Sequence, residues 1–214
     1  KRSQQIAVQT KVPLFKEFTE LWFKQKQVEW RTSYQQKVSI VIKNYLIPAF
    51  GNQVLSKIKK SDLLNFRASL AKVTHGKDQT SLKASRINQI MTPLRMILND
   101  AAERYEFESP YKNINNLKES KIEVTPFSLE EVHKILTTVR EDFRPYYTIR
   151  FFTGMRTSEI DGLQWKNIDL QRHEIHIREA LVNGVLGGTK TYGSDRTIQM
   201  SDRVYQAFLQ QKSL

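Results

Sequence analysis

Three charged side chains in the last third of the chain, Arg156, Glu159 and Lys190, have the types and the setting for phosphate chemistry. Arg156 follows Gly154 at the start of a short helix-like segment, in which Ile160 and Leu163 are spaced for one apolar face. A cation there meets the positive end of the helix dipole, a mismatch of ~0.3–1 kcal/mol. Two compensations are open. A bound anion is one, because free N–H groups at a helix start and a guanidinium fork together form a phosphate-sized receptor. A surface ion pair with Glu159 or Asp161 is the other. Glu159 is three residues on, on the same helix face, so its carboxylate can hold the guanidinium. Lys190 lies between Gly187-Gly188 and Gly193, on a hairpin whose turn can carry the amine towards a phosphate. A lysine so placed suits a proton donor to a leaving oxygen; the plainer alternative is an exposed turn lysine. Neither a Walker lysine motif nor a Ser-His-Asp order competes with this set. The 4 His, at positions 75, 133, 173 and 176, show no convincing ligand spacing, so no metal is expected.

The composition points the same way. In 214 residues, 34 Lys and Arg stand against 22 Asp and Glu, a net charge of +12. Such an excess fits a polyanionic partner, nucleic acid ahead of a membrane, because phosphates are neutralised by basic side chains. A basic surface kept only for solubility is the alternative. There is no Cys, so disulfides and thiolate metal sites are excluded. No signal-peptide pattern follows Lys1-Arg2, and no run approaches the ~18 apolar residues of a membrane span. The expectation is a soluble, intracellular protein.

The elements that must position these residues divide by period. The first half is helical. Pro13 suits a first turn, and Phe15, Phe18 and Trp22 lead an apolar face that runs to about Gln27. Ser33 and Gln36 match a capping box before a second helix that should stop ahead of Pro48. Ser61 can cap a third, with Leu63, Leu64, Phe66 and Leu70 inward. His75 to Gln79 reads as a polar loop. The fourth and longest helix runs from about Ser81 to Tyr105, with a bend or break expected at Pro93. On it, Lys83 and Arg86 are one turn apart and accompanied by Ser85 and Asn88, a placement suited to phosphates or base edges. Lys37 and other lysines read as a solvated face.

Residues 109–125 lose the helical period and gain Asn, Ser, Pro and Lys, the composition of a linker. Beyond them Ser128 and Glu131 form a second capping-box match, before an amphipathic helix through Val132 and Leu136. Arg144-Pro145 starts an aromatic run that leads to Arg156. After Trp165 the period becomes that of strands, at Ile168–Leu170, Ile175–Ile177, Ala180–Val182 and Arg196–Met200, with Asn183-Gly184 and Gly187-Gly188 as turn signals. A last helix starts at Ser201-Asp202. The expected fold is mainly α with a small antiparallel sheet. Its parts are an N-terminal extension (1–13), a helical domain (14–108), a linker (109–125) and an α+β domain (126–214).

The segment Thr153-Gly154-Met155-Arg156-Thr157-Ser158-Glu159-Ile160-Asp161-Gly162-Leu163-Gln164-Trp165 closely resembles the first catalytic motif of the tyrosine recombinases, the phage integrase family. Thr189 to Ile198 is similar to that family's catalytic-lysine hairpin. Tyr45 to Gly51 and Pro93 to Ala101 are similar to its helical core-binding domain. The resemblance implies a protein that clamps double-stranded DNA, and a tyrosine that attacks a backbone phosphate to form a 3′-phosphotyrosyl link, without metal or nucleotide cofactor. On that basis Arg156 would neutralise the non-bridging phosphate oxygens and Lys190 would protonate the departing 5′ oxygen, with Glu159 buttressing Arg156. Lys83, Ser85, Arg86, Asn88 and Arg196 are expected on DNA. A homotetramer on two duplexes, and a bacterial cytoplasm with nucleoid association, are implied for the full-length protein.

Departures accompany the match. The family's His-x-x-Arg motif has no counterpart, nor does its late tyrosine nucleophile: the 8 Tyr, at 34, 45, 105, 111, 146, 147, 192 and 205, lie elsewhere. Asn167 stands where an acid is common, and Gln199 where proline is. The expectation is therefore a fragment, with an incomplete catalytic domain and an internal cut at its N-terminus, that binds DNA and cannot cleave it. A catalytically inactive DNA-binding regulator on the same scaffold is the rival.

Overall fold

The computed structural model describes residues 11–75, 80–121, 123–188 and 195–214. They form two compact units that divide between residues 122 and 123, taken here one at a time.

In the first unit, helix α1 (Phe15–Lys26) buries Phe15, Phe18 and Trp22, the stripe that its spacing predicts. Pro13 lies ahead of the helix, and the Glu17 carboxylate accepts the Leu14 N–H at 3.1 Å. Helix α2 (Thr32–Val41) starts one residue before Ser33, which therefore sits inside the first turn instead of capping it. Nor does the helical path stop before Pro48. It widens into a π turn over Ile42–Leu46, in which the Ile47 N–H reaches the Ile42 carbonyl, and resumes as α3 (Ile47–Phe50). Pro48 thereby falls in a first turn, where its missing donor costs no hydrogen bond. Helix α4 (Lys60–Leu70) is capped by Asp62, whose carboxylate accepts the Lys59 N–H at 2.9 Å; Leu63 and Leu70 point inward, and Leu64 is exposed. Strand β1 (Thr74–His75) pairs antiparallel with β2 (Thr80–Ser81), while residues 76–79 of the expected polar loop lie outside the described residues.

Helix α5 (Ala84–Arg104) runs unbroken through Pro93 and supplies Ile87, Ile90, Met91, Leu94, Ile97 and Leu98 to the core. The Thr92 hydroxyl donates to the Asn88 carbonyl at 2.9 Å, just before the position where proline removes a backbone donor. The stretch after α5 is linker-like in composition, yet its first part packs on this unit, with Tyr111 and Ile114 in the core. Burial pushes the Tyr111 phenol above its ordinary pKa, against the pull of Arg95 and Arg67.

The second unit opens with α6 (Leu129–Thr138) on the expected reciprocal cap. Ser128 Oγ accepts from the Glu131 N–H at 3.2 Å, and Glu131 Oε2 accepts from the Ser128 N–H at 2.7 Å. Val132 and Leu136 face inward. Helix α7 (Arg144–Thr153) carries Pro145 in its first turn and ends at Gly154, and α8 (Thr157–Asp161) follows. Strands β3 (Ile168–Asp169) and β4 (Glu174–Ile177) precede a hairpin of β5 (Glu179–Val182) and β6 (Val185–Gly188), which turns at Asn183-Gly184. Gly187-Gly188, a turn signal by composition, lies within β6 instead. Strand β7 (Arg196–Gln199) completes a three-stranded antiparallel sheet in the order β3-β4-β7, with Ile175 opposite Ile198 and Ile177 opposite Arg196. Helix α9 (Asp202–Ser213) starts from Ser201, whose Oγ accepts the Val204 N–H at 3.4 Å. Ile149, Ile160, Ile175, Ile177, Val204 and Phe208 form the core between helices and sheet. The fold is mainly helical with a small antiparallel sheet.

Candidate active site and nucleic-acid interface

The turn that carries Arg156 is built by one glycine and held by two side chains of the preceding helix. Gly154 adopts φ +65°, the left-handed conformation that ends α7, and a Cβ there would meet nothing within 4 Å. Glycine is needed for its backbone, not for space. Buried Met155 then anchors the turn, and Arg156, extended at ψ 153°, stands immediately before α8. At one end of α8, Arg150 Nη2 donates to Thr157 Oγ1 at 2.6 Å; at the other, the Tyr146 hydroxyl donates to Asp161 Oδ1 at 2.6 Å. Burial and that carboxylate push the Tyr146 phenol up. Gly162 answers a different constraint. Its φ is ordinary, but a Cβ would lie 2.6 Å from the Leu181 nitrogen, so β5 can pack against the end of α8 only without one.

Glu159 is the hub. Its side chain is 3% exposed and accepts four N–H groups. Oε2 takes the Arg156 backbone N–H at 2.9 Å and Arg196 Nη2 at 2.8 Å; Oε1 takes Arg156 Nη1 at 2.7 Å and Arg196 Nη1 at 3.1 Å. The Arg196 fork, with the Arg156 bonds behind it, holds this carboxyl down at about 2 against the desolvation that would raise it. Glu159 in turn raises the Arg196 pKa. A buried carboxylate is tolerable because two cations and a backbone donor satisfy it. Arg156 itself is 64% exposed at the side chain, so one nitrogen is anchored while much of the guanidinium faces solvent.

The two compensations read from the sequence for Arg156 are thus compatible: the ion pair is made with Glu159, and the exposed remainder can still receive an anion. Asp161 bonds to Tyr146 instead. Lys190, with residues 189–194, lies outside the described residues. Arg196, expected on DNA, turns its fork onto Glu159, a pairing that sequence spacing did not reveal because the partners are 37 residues apart. Asn167, where an acid was expected from the resemblance, is buried and reaches Glu179 Oε2 at 3.5 Å. Among the described residues no three His, Asp or Glu side chains converge as metal ligands, and no helix is long and apolar enough to cross a membrane.

The second candidate region is on the first unit. Lys83 is exposed as the residue before α5, Ser85 is half-buried, and Arg86 Nη1 donates to Gln89 Oε1 at 3.2 Å. Arg86 lines an open depression of about 340 Å³ with Tyr34, Lys37, Val38, Gln89 and Pro93. The fold therefore brings Lys37, a scattered surface lysine by sequence, to the same concavity. Asn88 is corrected. It is 7% exposed, its amide donates to the Leu117 carbonyl at 2.9 Å and to Glu119 Oε1 at 3.0 Å, and its carbonyl accepts the Leu117 N–H at 2.8 Å. It ties α5 to the segment that follows and is not presented to a ligand.

Residues 14–71 match the family described as phage integrase, N-terminal SAM-like domain. The chain is 24% identical to prophage integrase IntR of Escherichia coli (strain K12), over 95% of this chain and 51% of that protein. It is 26% identical to the ICEBs1 integrase of Bacillus subtilis (strain 168), over 83% of this chain and 49% of that protein. It spans about half the length of these curated relatives. In fold it is similar to the Tn1549 transposon integrase solved with a circular intermediate DNA, with a TM-score of 0.75 at 18% identity, covering 92% of this chain and 64% of that one. Residues 14–71 thus carry the integrase N-terminal SAM-like match, and the chain as a whole is similar in sequence and fold to integrases.

Proposed function

We propose that this chain is the DNA-binding and phosphate-positioning part of a site-specific recombinase of a mobile element, one that cuts and rejoins DNA through a phosphotyrosine intermediate. The observation that carries it is the Arg156–Glu159 pair: a guanidinium 64% exposed at the side chain, held at 2.7 Å by a carboxylate that is 3% exposed. Such a group is preorganised to meet charge that develops on a phosphate. Residues 14–108 act as the helical DNA-binding domain, with Lys83, Ser85 and Arg86 facing the backbone, and residues 126–214 supply part of the catalytic domain. Arg156 neutralises the non-bridging oxygens, Lys190 protonates the leaving 5′ oxygen, and no metal takes part. The solved Tn1549 integrase–DNA complexes support double-stranded DNA as the partner. Following the family resemblance, the full-length protein assembles as a homotetramer on DNA in the bacterial cytoplasm, associated with the nucleoid.

None of the 8 Tyr stands in the sequence context of the family's nucleophile. A nicked suicide duplex, incubated with this chain and run on a denaturing gel, is therefore expected to give a mobility shift under native conditions and no covalent adduct. An adduct would overturn the assignment of the nucleophile; absence of any native shift at low salt would overturn DNA binding. The rival regulator is favoured instead if the gene, read on, supplies neither a His-x-x-Arg segment nor a tyrosine.

A further inference from the structure

We propose that Arg196 is a positioning residue, acting on the phosphate site by locking Glu159 and not by touching DNA. The proposal rests on the reading of Arg156 as a phosphate ligand. Arg196 meets Glu159 side-on, one Nη on each carboxylate oxygen at 3.1 and 2.8 Å. That fork fixes the plane of the carboxylate as a single contact does not. The Arg156 side chain has one such bond, from Nη1 at 2.7 Å. Without the Arg196 fork, Oε2 would keep the Arg156 backbone N–H as its one donor, and the acceptor of Arg156 Nη1 would be held from one side only.

The anchor behind the fork is firm. Arg196 opens β7 and lies opposite Ile177 of β4, whose side chain is 1% exposed in the core. Its guanidinium thus ties the sheet to a five-residue helix too short to hold its own geometry. Along the relay the side chains are 34% exposed at Arg196, 3% at Glu159 and 64% at Arg156, so of the three Arg156 is the one mainly open to a ligand.

The test compares the full chain with Arg156→Gln, Arg196→Lys and the double variant. Arg196→Lys keeps the charge that offsets Glu159 and removes only the fork. On a short duplex at fixed salt it should weaken binding about three- to tenfold, similar to Arg156→Gln, and the double variant should be no weaker than Arg156→Gln alone. Independent losses that multiply in the double variant, or full binding by Arg196→Lys, would mean that Arg196 is a separate phosphate contact or irrelevant, and would overturn the proposal. A DNA-free arm separates this from the functional reading. By carboxyl-carbon NMR Glu159 should titrate near 2 in the parent chain and higher in Arg196→Lys, with the Arg156 side-chain N–H signals losing their dispersion. If those signals do not move, the lock is wrong whatever DNA does. If they move but the parent chain does not bind DNA, the lock stands and the functional reading fails.

Discussion

Glu159 shows how one buried residue couples stability to the site. Its carboxyl lies at about 2 in the folded chain against an ordinary 4.5, because Arg196 and Arg156 bond to the ionised form. A depressed carboxylate contributes stability that is present above the unfolded pKa and is lost as pH falls towards the folded one. The window is therefore between about pH 5 and pH 2, and the shift corresponds to roughly 3 kcal/mol. Glu159→Gln keeps the shape but not the charge, and leaves two arginines facing a neutral amide. It should be less stable than the parent at pH 7 by about that amount, and the gap should narrow as pH is lowered towards 3, which urea titrations at several pH values will show. A gap independent of pH would mean that the carboxylate's charge is not what the arginines hold. The sequence made half of this legible: spacing of three predicts the Arg156–Glu159 contact. Arg196 was hidden, because a pair across 37 residues depends on how β7 registers against β4.

At the level of elements, what was legible followed local rules, and what was missed depended on packing. The cap of α6 was readable from Ser128 and Glu131 because both bonds of that motif are made within one turn. The end of the second helix was misread at Pro48, since a π turn upstream shifts the register so that proline falls where helices accept it. Composition likewise marks 109–125 as a linker, yet Tyr111 and Ile114 find a hydrophobic surface that only α5 and its neighbours create. Two glycines around α8 separate the backbone and packing contributions. Gly154→Ala meets open space and is charged only for its φ of +65°, about 1 kcal/mol. Gly162→Ala has an ordinary φ but drives a methyl to 2.6 Å from the Leu181 nitrogen and 2.9 Å from the Ala180 carbonyl carbon. It should cost more, about 2–3 kcal/mol, and move α8 away from β5. Chemical denaturation of the two variants, with the Arg156 side-chain NMR signal as a site reporter, decides the order. If Gly154→Ala proves the more damaging and the signal is undisturbed by Gly162→Ala, close approach of β5 is not what the glycine serves.

Across the whole molecule, the charge is unevenly placed. Residues 1–122 carry 22 Lys and Arg against 10 Asp and Glu, whereas residues 123–214 carry 12 against 12, so the entire +12 belongs to the first unit. The second unit has no net charge, and two of its arginines, Arg156 and Arg196, are gathered on Glu159. Long-range attraction to a duplex should then come from the helical unit, and the neutral unit should add short-range contacts. Each phosphate neutralised by a basic side chain contributes about 0.9 to the slope of log affinity against log salt. Replacing both Lys83 and Arg86 by Gln should lower that slope by about 1.8 and weaken binding similarly on unrelated sequences. Asn88→Ala, one turn further along α5, should behave oppositely. Loss of its bonds to Leu117 strands a backbone N–H and C=O, costing about 1–3 kcal/mol of stability, while the salt slope stays at the parent value. Binding titrations of the three proteins on one duplex between low and physiological salt, paired with denaturation curves, make the contrast. A slope unchanged by Lys83→Gln/Arg86→Gln would remove the start of α5 from the DNA face and shift attention to the Lys37 side of the depression that Arg86 shares.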